Sequence, residues 1–244
     1  MVKRQTALKI RKTHRYLGLF IGIQFLMWTI SGLYFSWTDI DEIHGDQFRR
    51  ETVTLEKFQD LKSPSDVYNA AGITSVELKD IAGIPHYWLN GSKLVNAKTG
   101  EERSEISQKE AKIIAKQNMR DDLKVSSVER ITEVGDHHEY RGSPLPAYVI
   151  SYDSPENIRA YVASNNGAFR SVRHRDWRWF DFLWMTHTMD YEGRDDFNNL
   201  ILRAFSLLGL ITVLSGFTLW YTSSPTIRKV FNKKKKKKKN EKKI

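Results

Sequence analysis

No cysteine occurs anywhere in the 244 residues. A domain facing an oxidising compartment would therefore have no disulfides to brace it. Four-cysteine iron–sulfur ligation, thioether attachment of c-type haem and a lipidated N-terminal cysteine are excluded as well. Any redox cofactor has to be held by histidine or without a covalent bond. The chain also lacks a phosphate-cradling loop, an H-E-x-x-H pair, a nucleophile with its base and a G-x-G-x-x-G fingerprint. A hydrolytic enzyme is thus unsupported, and a reductase role would need electrons from a partner.

Charge is missing from two long stretches. Tyr16 to Trp37 is 22 residues without a charged side chain, about 33 Å of helix and enough to cross a hydrocarbon core. Leu200 to Tyr221 is a second such run, interrupted only by Arg203. The mean hydropathy of the whole chain is nevertheless negative, so the apolar residues are gathered into these two spans and the chain is no polytopic bundle. The first run is longer than the apolar region of a secretory signal, and no small-x-small cleavage site follows it. It reads as an uncleaved signal anchor.

Acidic residues are absent from positions 1–15, which carry six Lys or Arg; positions 228–244 carry eleven against the single Glu241. These flanks hold more than the chain's whole excess of +10, so the middle is net acidic. That positive-inside pattern predicts both termini in the cytoplasm and the central segment outside, across a bacterial inner membrane. A nucleic-acid-binding domain would carry its basic residues on folded surface, so no nucleic-acid partner is expected. The Lys233–Lys239 run predicts a disordered tail that touches anionic lipid.

Six segments follow: a basic leader (1–15), a first span (16–37), an outer domain (38–175), an aromatic interfacial segment (176–199), a second span (200–221) and a Lys-rich tail (222–244). In the outer domain Ser63-Pro64-Ser65-Asp66 opens a short helix that stops near Gly72. Alternating residues predict strands at Thr74–Leu78, Pro85–Leu89 and Lys93–Ala97, ending in a Lys98-Thr99-Gly100 turn. The order then returns. Ser107 to Glu110 is a capping box, opening a helix with Ala111, Ile114, Ala115 and Met119 on its apolar face. Strands are expected at Val125–Val134, Ala147–Tyr152 and Ile158–Ala163, closing on Asn165-Asn166-Gly167. The fold class is α+β, an internal repeat (about 54–105 and 106–173) with each helix packed on a small antiparallel sheet. Trp177, Trp179 and Trp184 predict a short helix lying on the outer membrane surface.

His14-Arg15-Tyr16-Leu17-Gly18-Leu19 at one end of the first span and Ser31-Gly32-Leu33-Tyr34 at the other resemble the PepSY-associated transmembrane helix family. So do Leu183-Trp184-x-x-His187 and the Ser215-Gly216-Phe217-Thr218-Leu219-Trp220 that ends the second span. The segment Val95-Asn96-Ala97-Lys98-Thr99-Gly100 is similar to PepSY repeats. The likeness covers residues 10 to 222. It implies one of two roles. Larger members are similar to inner-membrane reductases in which transmembrane histidines ligate haem b and carry electrons outward, some to ferric iron. Smaller ones restrain peptidases or engage other envelope proteins without a cofactor.

Under the first role, His14 and His187 are the candidate axial ligands of haem iron. One hydrocarbon thickness, roughly 30 Å, separates their expected positions, so they cannot share a haem within one chain. A homodimer or a larger membrane complex would bring His14 to His14 and His187 to His187 between facing helices. The other reading makes His14 an interfacial residue beside Arg11 and Arg15. Arg203 either meets a haem propionate or snorkels to the interface. His44 could join His187 in an outer metal or haem site with Asp39 or Asp41, or else is a loop histidine. His137 and His138 read as solvated, and His86 and His174 carry no signal. The small pairs Ser31-Gly32 and Ser215-Gly216 predict close helix contact.

Overall fold

Two helices in the computed structural model are long and apolar enough to cross a membrane, and both grow from the charge-free runs. The structure describes residues 4–51, 57–68 and 72–225. Helix α1 (Arg4–Trp37) begins well before the expected span, because its basic residues are good helix formers that extend the apolar run. Its apolar part is Leu8–Trp37. Helix α6 (Leu200–Ser223) starts at Asn199, whose side chain accepts from the Leu202 amide at 2.8 Å. Large apolar side chains stand exposed on both, Leu19 at 72% and Phe217 at 64%, as hydrocarbon-facing residues do. The chain divides into two units, a helical unit (Met1–Ser36 with Leu183–Ile244) that holds α1 and α6, and a central unit (Trp37–Phe182). Helix α5 (Arg175–Thr188) runs without a break through the boundary.

The central unit is α+β. After α2 (Ile40–His44) and a 3-10 turn at Asp46–Phe48, a helix followed by four antiparallel strands occurs twice. Helix α3 (Pro64–Val67) precedes β1 (Val76–Ile81), β2 (Ile84–Leu89), β3 (Lys93–Asn96) and β4 (Glu102–Arg103); α4 (Gln108–Asn118) precedes β5 (Val125–Ile131), β6 (Ala147–Tyr152), β7 (Arg159–Ala163) and β8 (Phe169–Arg173). Each sheet is ordered as its strands occur in the chain. Alternation along the strands sends residues to three buried clusters, the smallest of them Tyr140, Ala147, Val149 and Tyr161. Ala111, Ile114, Ala115 and Met119 of α4 join Ile81, Leu94, Tyr148, Ile150 and Val162 in the main one. Val67 covers Tyr87, Leu89, Val95 and Ala97 on the other face of the first sheet.

The capping box at Ser107 and Glu110 is present in full. Several expected bounds shift. The strand expected at Thr74–Leu78 lies at Val76–Ile81, and the one expected to reach Val134 stops at Ile131. Two strands, β4 and β8, go beyond the expected three per sheet: one has two residues and the other reads Phe-Arg-Ser-Val-Arg, too short or too polar for an alternation signal. The helix from Ser63 gives only four helical residues; its expected continuation to Gly72 and the start of the first repeat fall partly outside the described residues, as does the Lys233–Lys239 tail. The Asn165-Asn166-Gly167 turn is built as expected. Gly167 has φ +66°, and a Cβ there would overlap the Ile81 side chain of the first sheet.

Candidate functional site

Hydroxyl groups in the two spans bond to their own helix, because hydrocarbon provides no water. Ser31 Oγ donates to Met27 O at 2.7 Å, and Ser215 Oγ donates to Thr212 O at 2.7 Å. Each of these serines also faces a histidine from another helix. His14 Nδ1 lies 2.7 Å from Ser215 Oγ, and His187 Nδ1 lies 2.7 Å from Ser31 Oγ. Three helices are tied in this way: His14 of α1 meets Ser215 of α6, and His187, near the end of α5, meets Ser31 of α1. Along α1, His14 and Ser31 are 17 residues apart, so the two levels are separated by about 25 Å.

At the His14 level Gly216 gives the ring its room. A Cβ on Gly216 would lie 3.2 Å from His14 Cε1, so even alanine would press on the imidazole. Gly209 plays the same part for Phe25, whose ring would lie 2.9 Å from an added Cβ. Gly32 does not share that role, since its open side meets nothing within 4 Å.

The His187 level is boxed by aromatics. Phe35 stands edge-on to the imidazole with centroids 5.6 Å apart, and Trp28 lies at 6.5 Å. Trp184 in turn meets Phe35 at 5.8 Å and Phe197 at 5.4 Å. The last carbonyls of a helix have no partner in their own ladder, and here side chains supply them. Gln24 donates to Thr186 O at 3.2 Å, Trp28 Nε1 donates to His187 O at 2.7 Å, and Asn199 Nδ2 donates to Thr188 O at 3.0 Å. His187 is therefore fixed through its ring and its backbone, beside a serine six residues in from the end of the first span.

Arg203 stands exposed on the first turn of α6. Asn199, the N-cap of that turn, is bonded to the residue after His187, so Arg203 belongs to the His187 end of the helical unit. His44 ends α2 and is exposed, and Asp39 serves as that helix's N-cap, accepting from the Asp41 amide at 2.9 Å. Among the described residues no group of three or more His, Asp or Glu side chains converges as a metal site.

A second constellation, in the central unit, has no counterpart among the residues singled out from the sequence. Glu139, which directly follows the two histidines read as solvated, has a side chain only 8% exposed. It accepts from Arg178 Nε at 2.6 Å and from Tyr161 Oη at 2.6 Å, with Arg159 at 3.3 Å. Burial pushes its carboxyl up, but the bonds from Arg178 and Tyr161 outweigh that and hold it below the usual range. Arg141 and Asp181 form a second buried pair at 2.7 Å. Arg178 and Asp181 both lie on α5, so the two pairs hold the first half of that helix to the 139–141 turn. His86 and His174 are not idle either. Both are buried, His174 with Nε2 3.0 Å from Glu42 O and His86 with Nδ1 3.0 Å from Ile84 O.

The PepSY-associated TM region family matches residues 11–243. The chain belongs to that family. No curated protein and no solved structure matches it. With this membership, the two apolar helices make the chain a two-pass membrane protein of the PepSY-associated kind. The match spans both helices and everything between them, so both histidine levels of this PepSY-associated chain lie within it.

Proposed function

We propose that the chain is a haem-b subunit of the bacterial inner membrane, passing electrons from a partner on the cytoplasmic side to an outer acceptor such as ferric iron. The carrying observation is the pair of histidine–serine levels. Metal-ligating histidines usually have their second ring nitrogen engaged by a fixed partner, which sets the ring's orientation. With Nδ1 of His14 and of His187 each 2.7 Å from a serine hydroxyl, Nε2 is the nitrogen left for iron at both levels. Haem b, when bound, supplies an iron that gains and loses one electron.

The remaining roles belong to the chain's own side chains. Trp28, Phe35 and Trp184 keep water from the His187 ring. Gly216 makes room for the His14 ring, and Arg203 is the cation available to a propionate at the His187 end. Two levels about 25 Å apart span most of a hydrocarbon core, so His14 and His187 would hold haem toward opposite faces of the membrane. Each level holds one of these histidines per chain, and a second copy or another membrane subunit would have to contribute a further histidine to hold the haem. The basic flanks support a reading with both termini in the cytoplasm, the His14 level inside and the PepSY-like central unit outside.

Protein purified in mild detergent from haem-replete cells should be coloured, with a Soret band that shifts on dithionite reduction. His187→Ala and His14→Ala should each weaken the band, while His137→Ala, in the exposed turn of the central unit, should leave it unchanged. A colourless wild type would contradict the proposal and favour a cofactor-free anchor that binds a peptidase or another envelope protein.

A further inference from the structure

Proton bookkeeping at the two serines goes further than the distances alone. A serine hydroxyl has one proton to give. Ser31 Oγ stands 2.7 Å from Met27 O and 2.7 Å from His187 Nδ1; Ser215 Oγ stands 2.7 Å from Thr212 O and 2.7 Å from His14 Nδ1. A carbonyl oxygen has no proton to offer. If the hydroxyl donated to the ring, two oxygens would face each other at 2.7 Å with nothing between them. The hydroxyl proton therefore belongs to the carbonyl, and the hydroxyl accepts from the ring.

We propose that Ser31 and Ser215 are positioning residues that hold the neutral rings of His187 and His14 in the Nδ1–H tautomer, so that each level presents a bare Nε2 lone pair. The proposal rests on the haem reading only for what that lone pair is used for. Free neutral imidazole of histidine favours the opposite tautomer, with the proton on Nε2 and nothing there to bind iron. The serines reverse that preference before any ligand arrives. They also explain why a serine, and not merely any small residue, stands beside each helix contact: alanine would allow the same approach but could not accept from Nδ1.

The test uses the full chain in lipid nanodiscs with 15N-labelled histidine, freed of haem, at pH 8.5 to keep the rings neutral. Histidine signals are assigned by comparison with His14→Ala and His187→Ala. The expected wild-type spectrum shows both rings protonated at Nδ1 and unprotonated at Nε2. Ser31→Ala should move His187 alone toward the Nε2–H form, Ser215→Ala should move His14 alone, and Ser215→Thr, which keeps the hydroxyl, should leave His14 as in the wild type. In haem-loaded protein each alanine variant should retain haem at its own level roughly 10- to 100-fold less tightly, the usual effect of losing such a partner. Wild-type rings protonated at Nε2, or alanine variants that leave the ring signals unmoved, would overturn the proposal even if the protein is coloured. Rings protonated at Nδ1 in a protein that never takes up haem would uphold the serine role and refute the haem reading instead.

Discussion

At Glu110 one carboxylate does two tasks. It closes the capping box of α4 and takes both terminal nitrogens of Arg103, at 2.8 and 2.7 Å. The Arg103 hydrogen bonds hold its pKa down to about 2, against burial and with help from Ser107. A carboxyl whose folded value is depressed stabilises the protein above its unfolded value, and that stabilisation is lost as the pH falls toward the folded one. The central unit should therefore lose at most about 3 kcal/mol from this group between about pH 4.5 and pH 2. Burial also pushes the His86 imidazole below its usual value, which adds acid sensitivity of the same sign beginning near pH 6.5. Urea titrations followed by tryptophan fluorescence should show a shallower acid slope in Glu110→Gln than in the wild type. Equal slopes would remove Glu110 from the account.

Among the elements, α5 depends most on partners far along the chain. Its first half is held through Glu139 and Arg141, and its last carbonyls are met by Gln24, Trp28 and Asn199. Glu139→Ala would take the carboxylate from half-buried Arg178 and leave the buried Tyr161 hydroxyl unpaired, and a buried polar group left without a partner costs roughly 1–3 kcal/mol. Its unfolding midpoint in urea should fall by far more than that of Asp122→Ala, whose partner Arg120 is exposed. A change as small as the surface control would mean that the turn is not held by Glu139. The sequence foretold the helices well where the signal was local: charge-free runs for α1 and α6, a capping box for α4, and alternation for β6. It missed what sequence distance hides. Glu139 looks like a turn residue until Tyr161 and Arg178, 22 and 39 residues later, close over it. Of the two Ser-Gly pairs expected at helix contacts, Gly216 does lie against the His14 ring but Gly32 meets nothing within 4 Å; the histidines that face the two serines lie 156 and 201 residues away, so no spacing rule could match ring to hydroxyl.

For the whole molecule, the net-acidic middle between basic flanks determines the expected orientation. A reporter active only in the cytoplasm should work when fused after Ile244 and fail when inserted at the Lys98-Thr99-Gly100 turn. Activity at the turn would invert the orientation and place the His14 level outside. The central claim is that the molecule offers iron one histidine at each of two levels, completed by a second copy. It is tested most directly by counting haem against protein in the purified assembly, in the wild type, in His14→Ala, in His187→Ala and in the double variant. About one haem per chain is expected in the wild type, about half in each single variant and none in the double. Haem that stays at the wild-type ratio in the double variant would contradict it.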